Sequence, residues 1–431
     1  MSMEIIAIFL FAAIFLVLMS GYPVAFVLGG LSVIVGILFV PDFLDFLPLR
    51  IMGTIQNYVL LAVPLFVFMG LTLEKSGIAE ELLMSMGIMF GKIKGGLAIS
   101  VIIVGTLLAA STGIVGATVI SMGLISLPLM LKKGYSVPLA TGVIASSGTL
   151  GQIIPPSIVL VLLGSVLNVP VGVLFKAAMI PGLLLVGLYI IYVWIFAFLF
   201  PEKAPALPAE EIMAFKKKNY VSKLVKSFMY PMFLIVAVLG TIFTGIASPT
   251  EAAAVGALGA LILALLQNKL TLSKLKDVCK ETTYLTSMVF MILVGATTFS
   301  LVFRGLGGDN MLVNMISSGN LTAHQFLFVV MLVVFIAGFF IDFIEIIFII
   351  VPIVAPVFVK FQVDPVWLGV LLAINLQTSF LTPPFGFALF YLKSVAPPEV
   401  KTIDMYKGVI PFLLIQLLLL VIVFLFPQII S

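Results

Sequence analysis

Two segments decide the fold: Ala145-Ser146-Ser147-Gly148-Thr149-Leu150-Gly151-Gln152-Ile153-Ile154-Pro155-Pro156 and Ala373-Ile374-Asn375-Leu376-Gln377-Thr378-Ser379-Phe380-Leu381-Thr382-Pro383-Pro384. Each runs through an apolar stretch and ends on a double proline, and 228 residues separate Pro155 from Pro383. Proline lacks an N–H, so each pair interrupts a helix and frees two carbonyls, those of Gly151 and Gln152 in one segment and of Ser379 and Phe380 in the other. Inside a bilayer such backbone is tolerated only where it is buried in protein or lines a cavity, and paired breaks in two halves of a chain point to a transport site. The neighbouring side chains are neutral oxygen donors: Ser146, Ser147, Thr149 and Gln152, then Asn375, Gln377, Thr378, Ser379 and Thr382. The competing reading is two proline kinks packed by small residues; the matched recurrence of the break weighs against it.

Around these segments the chain is too apolar for water. Of its 431 residues 62% are hydrophobic and 9% are charged, against about 25% charged in an ordinary soluble domain. Many apolar runs reach the roughly 20 residues that cross the hydrocarbon, and none alternates as a β-barrel would, so the chain reads as an all-α polytopic membrane protein. Ile5–Leu18 follows no Lys or Arg and leads directly into a second apolar run, which reads as a retained span and not a signal peptide. One cysteine, Cys279, and one histidine, His324, supply neither a disulfide nor a Cys/His metal site, and no GxxxxGK[ST] pattern occurs. Enzymatic and ATP-driven readings lose their material, and His324 is expected in a loop. The net charge of +4 marks orientation, not a nucleic-acid partner.

Twelve apolar segments follow from the hydropathy. Two are long and broken by small residues, Leu97–Leu131 and Phe326–Val359, and read as re-entrant helical hairpins; the other ten cross. On that assignment 18 of the 22 basic residues share one side, and only Arg50, Lys176, Arg304 and Lys360 lie on the other. The positive-inside rule puts the larger group in the cytoplasm and both termini outside. With five crossings per half, the second half is inverted. Residues 1–200 form the first inverted-topology repeat, 201–228 a basic cytoplasmic linker, and 229–431 the second repeat. Each repeat then carries one hairpin and one broken transmembrane helix. The run Lys216 to Lys218 reads as an orientation signal against anionic lipid. The connectors Pro41–Tyr58 and Asn268–Tyr284 mix charges with apolar residues and are expected at the interface.

The first hairpin is expected to turn at Ala110-Ser111-Thr112-Gly113, where a glycine permits the reversal and hydroxyls and carbonyls can face a cation. A packing face of Gly and Ser is the alternative there. The second should turn between Gly338 and Glu345, which places Asp342 and Glu345 in the membrane; they either pair with Arg304 or Lys360 or hold a cation. Ser248-Pro249-Thr250-Glu251 reads as a helix start with a Ser cap and a Glu reaching back.

At these residues the chain resembles the large membrane subunit of tripartite ATP-independent periplasmic (TRAP) transporters, the DctM-like family. The likeness rests on Leu60-Leu61-Ala62-Val63-Pro64-Leu65-Phe66, the Ser-Thr-Gly tip, Gly-Tyr-Ser-Val-Pro at 134 to 138, both double prolines, and Thr244-Gly245-Ile246-Ala247-Ser248-Pro249-Thr250-Glu251-Ala252. The resemblance implies an elevator-type, Na⁺-coupled importer of a small organic anion in the inner (cytoplasmic) membrane. It also implies a separate small four-helix membrane subunit and an extracytoplasmic substrate-binding protein. By the same resemblance the first Na⁺ site uses Ser111, Thr112 and Gly113 with the backbone at Gly151, Ile154 and Pro156, and the second uses Thr378, Ser379 and Thr382. Substrate falls to Ser146, Ser147, Gly148, Asn375 and Gln377, with Asp342 and Glu345 as further candidates. A stand-alone Na⁺/dicarboxylate-type symporter would share the hairpins and breaks; a channel or structural scaffold would not need them.

Overall fold

A computed structural model describes residues 2–216, 228–311, 314, 322–384 and 386–430. The linker lysines Lys217, Lys218, Lys223 and Lys226, and the side chain of Ser111, lie outside the described residues. Among the described residues every regular element is helical. Among the described residues six helices are long and apolar enough to span, Tyr58–Lys75, Val115–Lys132, Val171–Leu199, Pro249–Leu266, Leu272–Gly305 and Thr402–Leu425, or seven if the bent pair Phe343–Ile349 and Val351–Lys360 is one span. Shorter apolar helices, such as Met3–Met19 and Val24–Phe39, fill in between them. Large apolar side chains, among them Phe9, Phe26, Trp194 and Phe198, stand exposed on the outer helices, as contact with lipid requires.

Helices open at recurring intervals in the two halves. Met3 and Tyr230, Gly96 and Ala323, Val115 and Phe343, Val137 and Pro365, and Ile158 and Phe387 begin corresponding elements. The two breaks also match in detail, because Pro155–Pro156 and Pro383–Pro384 both carry cis peptide bonds.

Two expectations are corrected, and one arm carries a bend that the hydropathy does not show. The second connector is not a separate element: Leu272–Gly305 is one helix of 34 residues, about 51 Å long at 1.5 Å per residue. No proline lies within it to stop propagation, so its polar N-terminal turns extend beyond the hydrocarbon. His324 sits in the first turn of Ala323–Ala337, not in a loop, with its ring against Trp367 and Phe424. The outward arm of the second hairpin is itself bent by 49° between Phe343–Ile349 and Val351–Lys360. Pro352 explains the bend, since it cannot donate to Phe348 and its ring presses on that carbonyl.

The expected start at Ser248 is present as a full capping box: Ser248 Oγ accepts from the Glu251 amide, and Glu251 Oε2 accepts from the Ser248 amide at 2.8 Å. Two ion pairs tie the halves together on the side carrying most of the lysines, Lys75 with Glu281 at 2.5 Å and Lys269 with Glu81 at 2.8 Å.

The orientation has a direct check. In a Cys279→Ser background, Lys92→Cys should react with a membrane-impermeant maleimide only after the cytoplasmic face is opened, and Lys360→Cys in intact cells. The basis is the 18-to-4 partition of basic residues. Equal labelling of both positions from one side would overturn the two-hairpin inverted topology.

Candidate functional site

The first hairpin, Gly96–Thr112 and Val115–Lys132, turns at Gly113 and Ile114. Gly113 adopts φ +63°, and a Cβ there would come within 2.8 Å of Ile158 Cγ1, so the tip needs glycine for both its dihedral and its close seat. Ile158 opens the outer half of the first broken helix, and the inner half, Val137–Thr149, passes into a single 3-10 turn over Leu150–Gln152. A Cβ on Gly151 would lie 2.3 Å from the Ala109 carbonyl oxygen, and one on Gly105 would lie 2.5 Å from Ser147 Oγ. Hairpin and broken helix therefore meet backbone to backbone. The second half repeats the arrangement, with Gly338 of the hairpin against Ser379 of the broken helix.

Thr112 is 1% exposed, and its hydroxyl lies 2.7 Å from that of Thr118, which in turn lies 3.1 Å from the Ile114 carbonyl. Ser111 closes the same helix, Gly96–Thr112. Ile154 is buried against Gly182, and Pro156 lies in the buried bend before Ser157. The hydroxyls of Ser146, Ser147, Thr378, Ser379 and Thr382 each donate to a carbonyl three or four residues back, at 2.7–3.1 Å. Their protons are thereby used while their oxygen lone pairs stay open, which suits a cation. Gly148 packs on Val119 of the hairpin. Asn375 donates to the Met331 carbonyl at 2.7 Å and ties the second break to its hairpin.

Two of the four carbonyls expected to be free are in fact occupied. Ser157 Oγ donates to the Gln152 carbonyl at 2.7 Å, and the Thr382 amide donates to the Ser379 carbonyl at 3.1 Å. Serine just past the double proline is a sequence signal that carried this information. Asp342 and Glu345 also have a local role. They form a capping box for Phe343–Ile349: Asp342 Oδ1 accepts from the Phe343 amide at 2.7 Å, and Glu345 Oε2 from the Asp342 amide at 3.2 Å. Among the described residues neither pairs with Arg304 or Lys360, because Arg304 Nε reaches Asp309, five residues along its own chain, at 3.2 Å.

The breaks meet each other through residues already marked as polar donors in the sequence, although their contact across the two halves is visible only in the fold. Gln377 Nε2 donates to Thr149 Oγ1 at 3.5 Å, a contact between positions 228 residues apart. Gln152 and Gln377 are each 0% exposed, yet Gln152 Nε2, Gln152 Oε1 and Gln377 Oε1 have no hydrogen-bond partner among the described residues. A buried amide left unpaired costs about 1–3 kcal/mol per group, so these atoms are able to take a further polar partner. A cavity of about 120 Å³ is lined by Gly116, Asp342, Phe380 and Tyr391 together with Val63 and Met288. Among the described residues no three His, Cys, Asp or Glu side chains gather as a metal site. The donors on offer are neutral oxygens.

Paired helix breaks joined at a buried polar crossing, within an apolar helical bundle, define a polytopic membrane permease. The sequence model of the family described as "Tripartite ATP-independent periplasmic transporter, DctM component" matches residues 11–429. The C4-dicarboxylate TRAP transporter large permease protein DctM of Pseudomonas aeruginosa is 33% identical over 403 residues, covering 93% of this chain and 91% of that protein. The sialic acid TRAP transporter large permease protein SiaM of Vibrio cholerae is 30% identical over 412 residues, covering 95% and 94%. In three dimensions the chain resembles the Alcanivorax borkumensis YdaH transporter with TM-score 0.65, covering 96% of this chain and 98% of that one at 13% identity, which speaks for the fold alone. The chain belongs to the DctM family of TRAP transporter large permeases.

Proposed function

We propose that this permease imports a small organic anion of the carboxylate class, driven by Na⁺, by moving the hairpins and broken helices as one body against the remaining helices. The observation that carries the reading is the crossing of the two breaks, where fully buried Gln152 and Gln377 present unpaired amide atoms. An amide accepts from a carboxylic acid or hydroxyl and donates to a carboxylate, so these groups suit a polar organic solute and its water. Neutral hydroxyl and carbonyl oxygens at the Thr112 tip and at Thr378 to Thr382 suit Na⁺, which needs several oxygen ligands and no fixed geometry, unlike a transition metal. Relatives named for C4-dicarboxylates and sialic acid both handle carboxylates.

TRAP large permeases work with a small membrane subunit and a periplasmic binding protein; for this chain the reading takes a separate four-helix subunit, a binding protein that hands over the substrate, and an inner-membrane location with both termini outside. The test is uptake into proteoliposomes that hold this chain and its small subunit. A cognate binding protein is supplied outside, loaded with whatever ligand the purified binding protein retains. Accumulation should require both the binding protein and an inward Na⁺ gradient. Uptake that proceeds equally with K⁺ in place of Na⁺ would defeat the coupling, and uptake without binding protein would favour a stand-alone symporter.

A further inference from the structure

The chain contains two arginines, Arg50 and Arg304, against twenty lysines. Both line a single cavity of about 400 Å³, within the roughly 300–1,000 Å³ of small-molecule sites. They belong to the four basic residues that the charge partition leaves on the extracytoplasmic side, where membrane proteins are depleted of positive charge. Selection against basic residues there makes their convergence on one hollow a feature that needs a cause.

Part of the remaining wall is hydrogen-bonding and pre-set, and Leu49, Leu60, Leu293 and Pro352 supply an apolar share. Thr54 Oγ1 lies 3.1 Å from Thr297 Oγ1, and Asn57 Nδ2 donates to Ser165 Oγ at 3.0 Å. Arg304 spends its Nε on Asp309 at 3.2 Å, which fixes the guanidinium while its terminal nitrogens remain to form a two-pronged contact. Arg50 has no ion-pair partner among the described residues. Two guanidinium groups less one carboxylate leave a net positive hollow, and a planar fork matches a carboxylate in a way that a lysine does not. The walls also come from two parts of the fold: Arg50 and Arg304 from the first connector and the long helix, Ser165 and Phe348 from the first broken helix and the second hairpin. An anion held here touches both bodies whose relative movement the transport reading requires.

We propose that this cavity is an extracytoplasmic receiving site for the substrate carboxylate, filled on release from the binding protein and before the solute reaches the broken helices. The proposal rests on the transport reading above and deepens it. Its first test needs no transport. The permease with its small subunit in nanodiscs is treated with phenylglyoxal, which attacks free guanidinium groups, and modification of Arg50 and Arg304 is followed by peptide mass spectrometry. Acetate, succinate and N-acetylneuraminate are compared with chloride and with neutral succinamide at matched ionic strength.

At least one carboxylate should slow modification at Arg50 and Arg304 together by threefold or more, while succinamide has no effect. Protection by no carboxylate, or protection only when the binding protein is added, overturns the proposal; the second outcome would make these arginines a protein-docking contact. In the uptake assay Arg50→Gln and Arg304→Gln should each raise the half-saturating concentration of loaded binding protein or its ligand about tenfold, the loss expected for a charge-assisted two-pronged contact. The Na⁺ dependence should be unchanged. Absence of Na⁺-driven uptake by the unaltered protein would defeat the transport reading and leave the labelling result standing. Normal uptake kinetics in both variants would overturn the receiving site alone.

Discussion

Gly408→Val should prevent accumulation of folded permease, and Gly408→Ala should lower its melting temperature sharply. A Cβ on Gly408 would sit 2.0 Å from the Pro138 carbonyl oxygen, and one on Gly142 would sit 2.2 Å from the Gly408 carbonyl oxygen. The last helix, Thr402–Leu425, thus crosses the inner half of the first broken helix with backbone against backbone. No flexible side chain stands between them to give way. Any methyl must push the two helices apart along their shared length, which loosens Phe412 from Tyr189 and Tyr192, where the rings stack edge to face at 5.1 and 5.0 Å. Overpacking of a tight core costs about 1–3 kcal/mol for modest insertions and more when backbone must move, and close glycine crossings are a main source of helix association in membranes. Thermal unfolding of the purified protein reads the effect, with Gly240→Ala as the control because nothing lies within 4 Å of a Cβ there. A Gly408→Ala protein that melts with Gly240→Ala would show that this crossing is slack.

That crossing illustrates where sequence reading stops. Glycine inside an apolar run is silent about its neighbour, and Gly142 and Gly408 look no different from Gly187 or Gly240, which face open space. The helix breaks were legible because two prolines remove amide donors wherever they occur, whatever surrounds them. The pattern Asp342-x-x-Glu345 was equally legible as a helix start, being the same acidic capping arrangement recognised at Ser248 and Glu251. Two buried carboxylates three residues apart also suit a distant ion pair or a cation, so the local cap was one of several readings the same residues allow. Arg304 follows the same local rule, since Asp309, five residues along the chain, takes its Nε in place of an intramembrane carboxylate. The unpaired amides of Gln152 and Gln377 depend on which side chains stop short of them, and only three-dimensional packing decides that.

Thr112→Val should raise the Na⁺ concentration for half-maximal uptake about tenfold on the proposed coupling. Thr118 can give its one proton to the Ile114 carbonyl at 3.1 Å, in which case Thr112 donates to Thr118 at 2.7 Å. The Thr112 oxygen accepts from the Ile114 amide at 3.5 Å and so has one lone pair left at the tip, beside the Gly113 turn seated on Ile158. Valine keeps the shape and removes that oxygen. Loss of one polar ligand to a buried charge costs about 1.5–3 kcal/mol, a factor of roughly ten or more in affinity. Thr118→Val is the matching control: it removes the acceptor of the Thr112 proton and leaves the Thr112 oxygen in place, so its shift should be smaller. A tip that merely packs gives another pattern, since both positions are 1% exposed and nearly isosteric with valine, and both variants would then change stability alike while leaving the Na⁺ curve unmoved. Uptake in proteoliposomes at fixed ionic strength, with Na⁺ exchanged for choline, separates the two. An unshifted curve in a well-folded Thr112→Val protein removes the hydroxyl from the coupling site, and a larger shift in Thr118→Val would move the ligand one turn into the second arm of the hairpin.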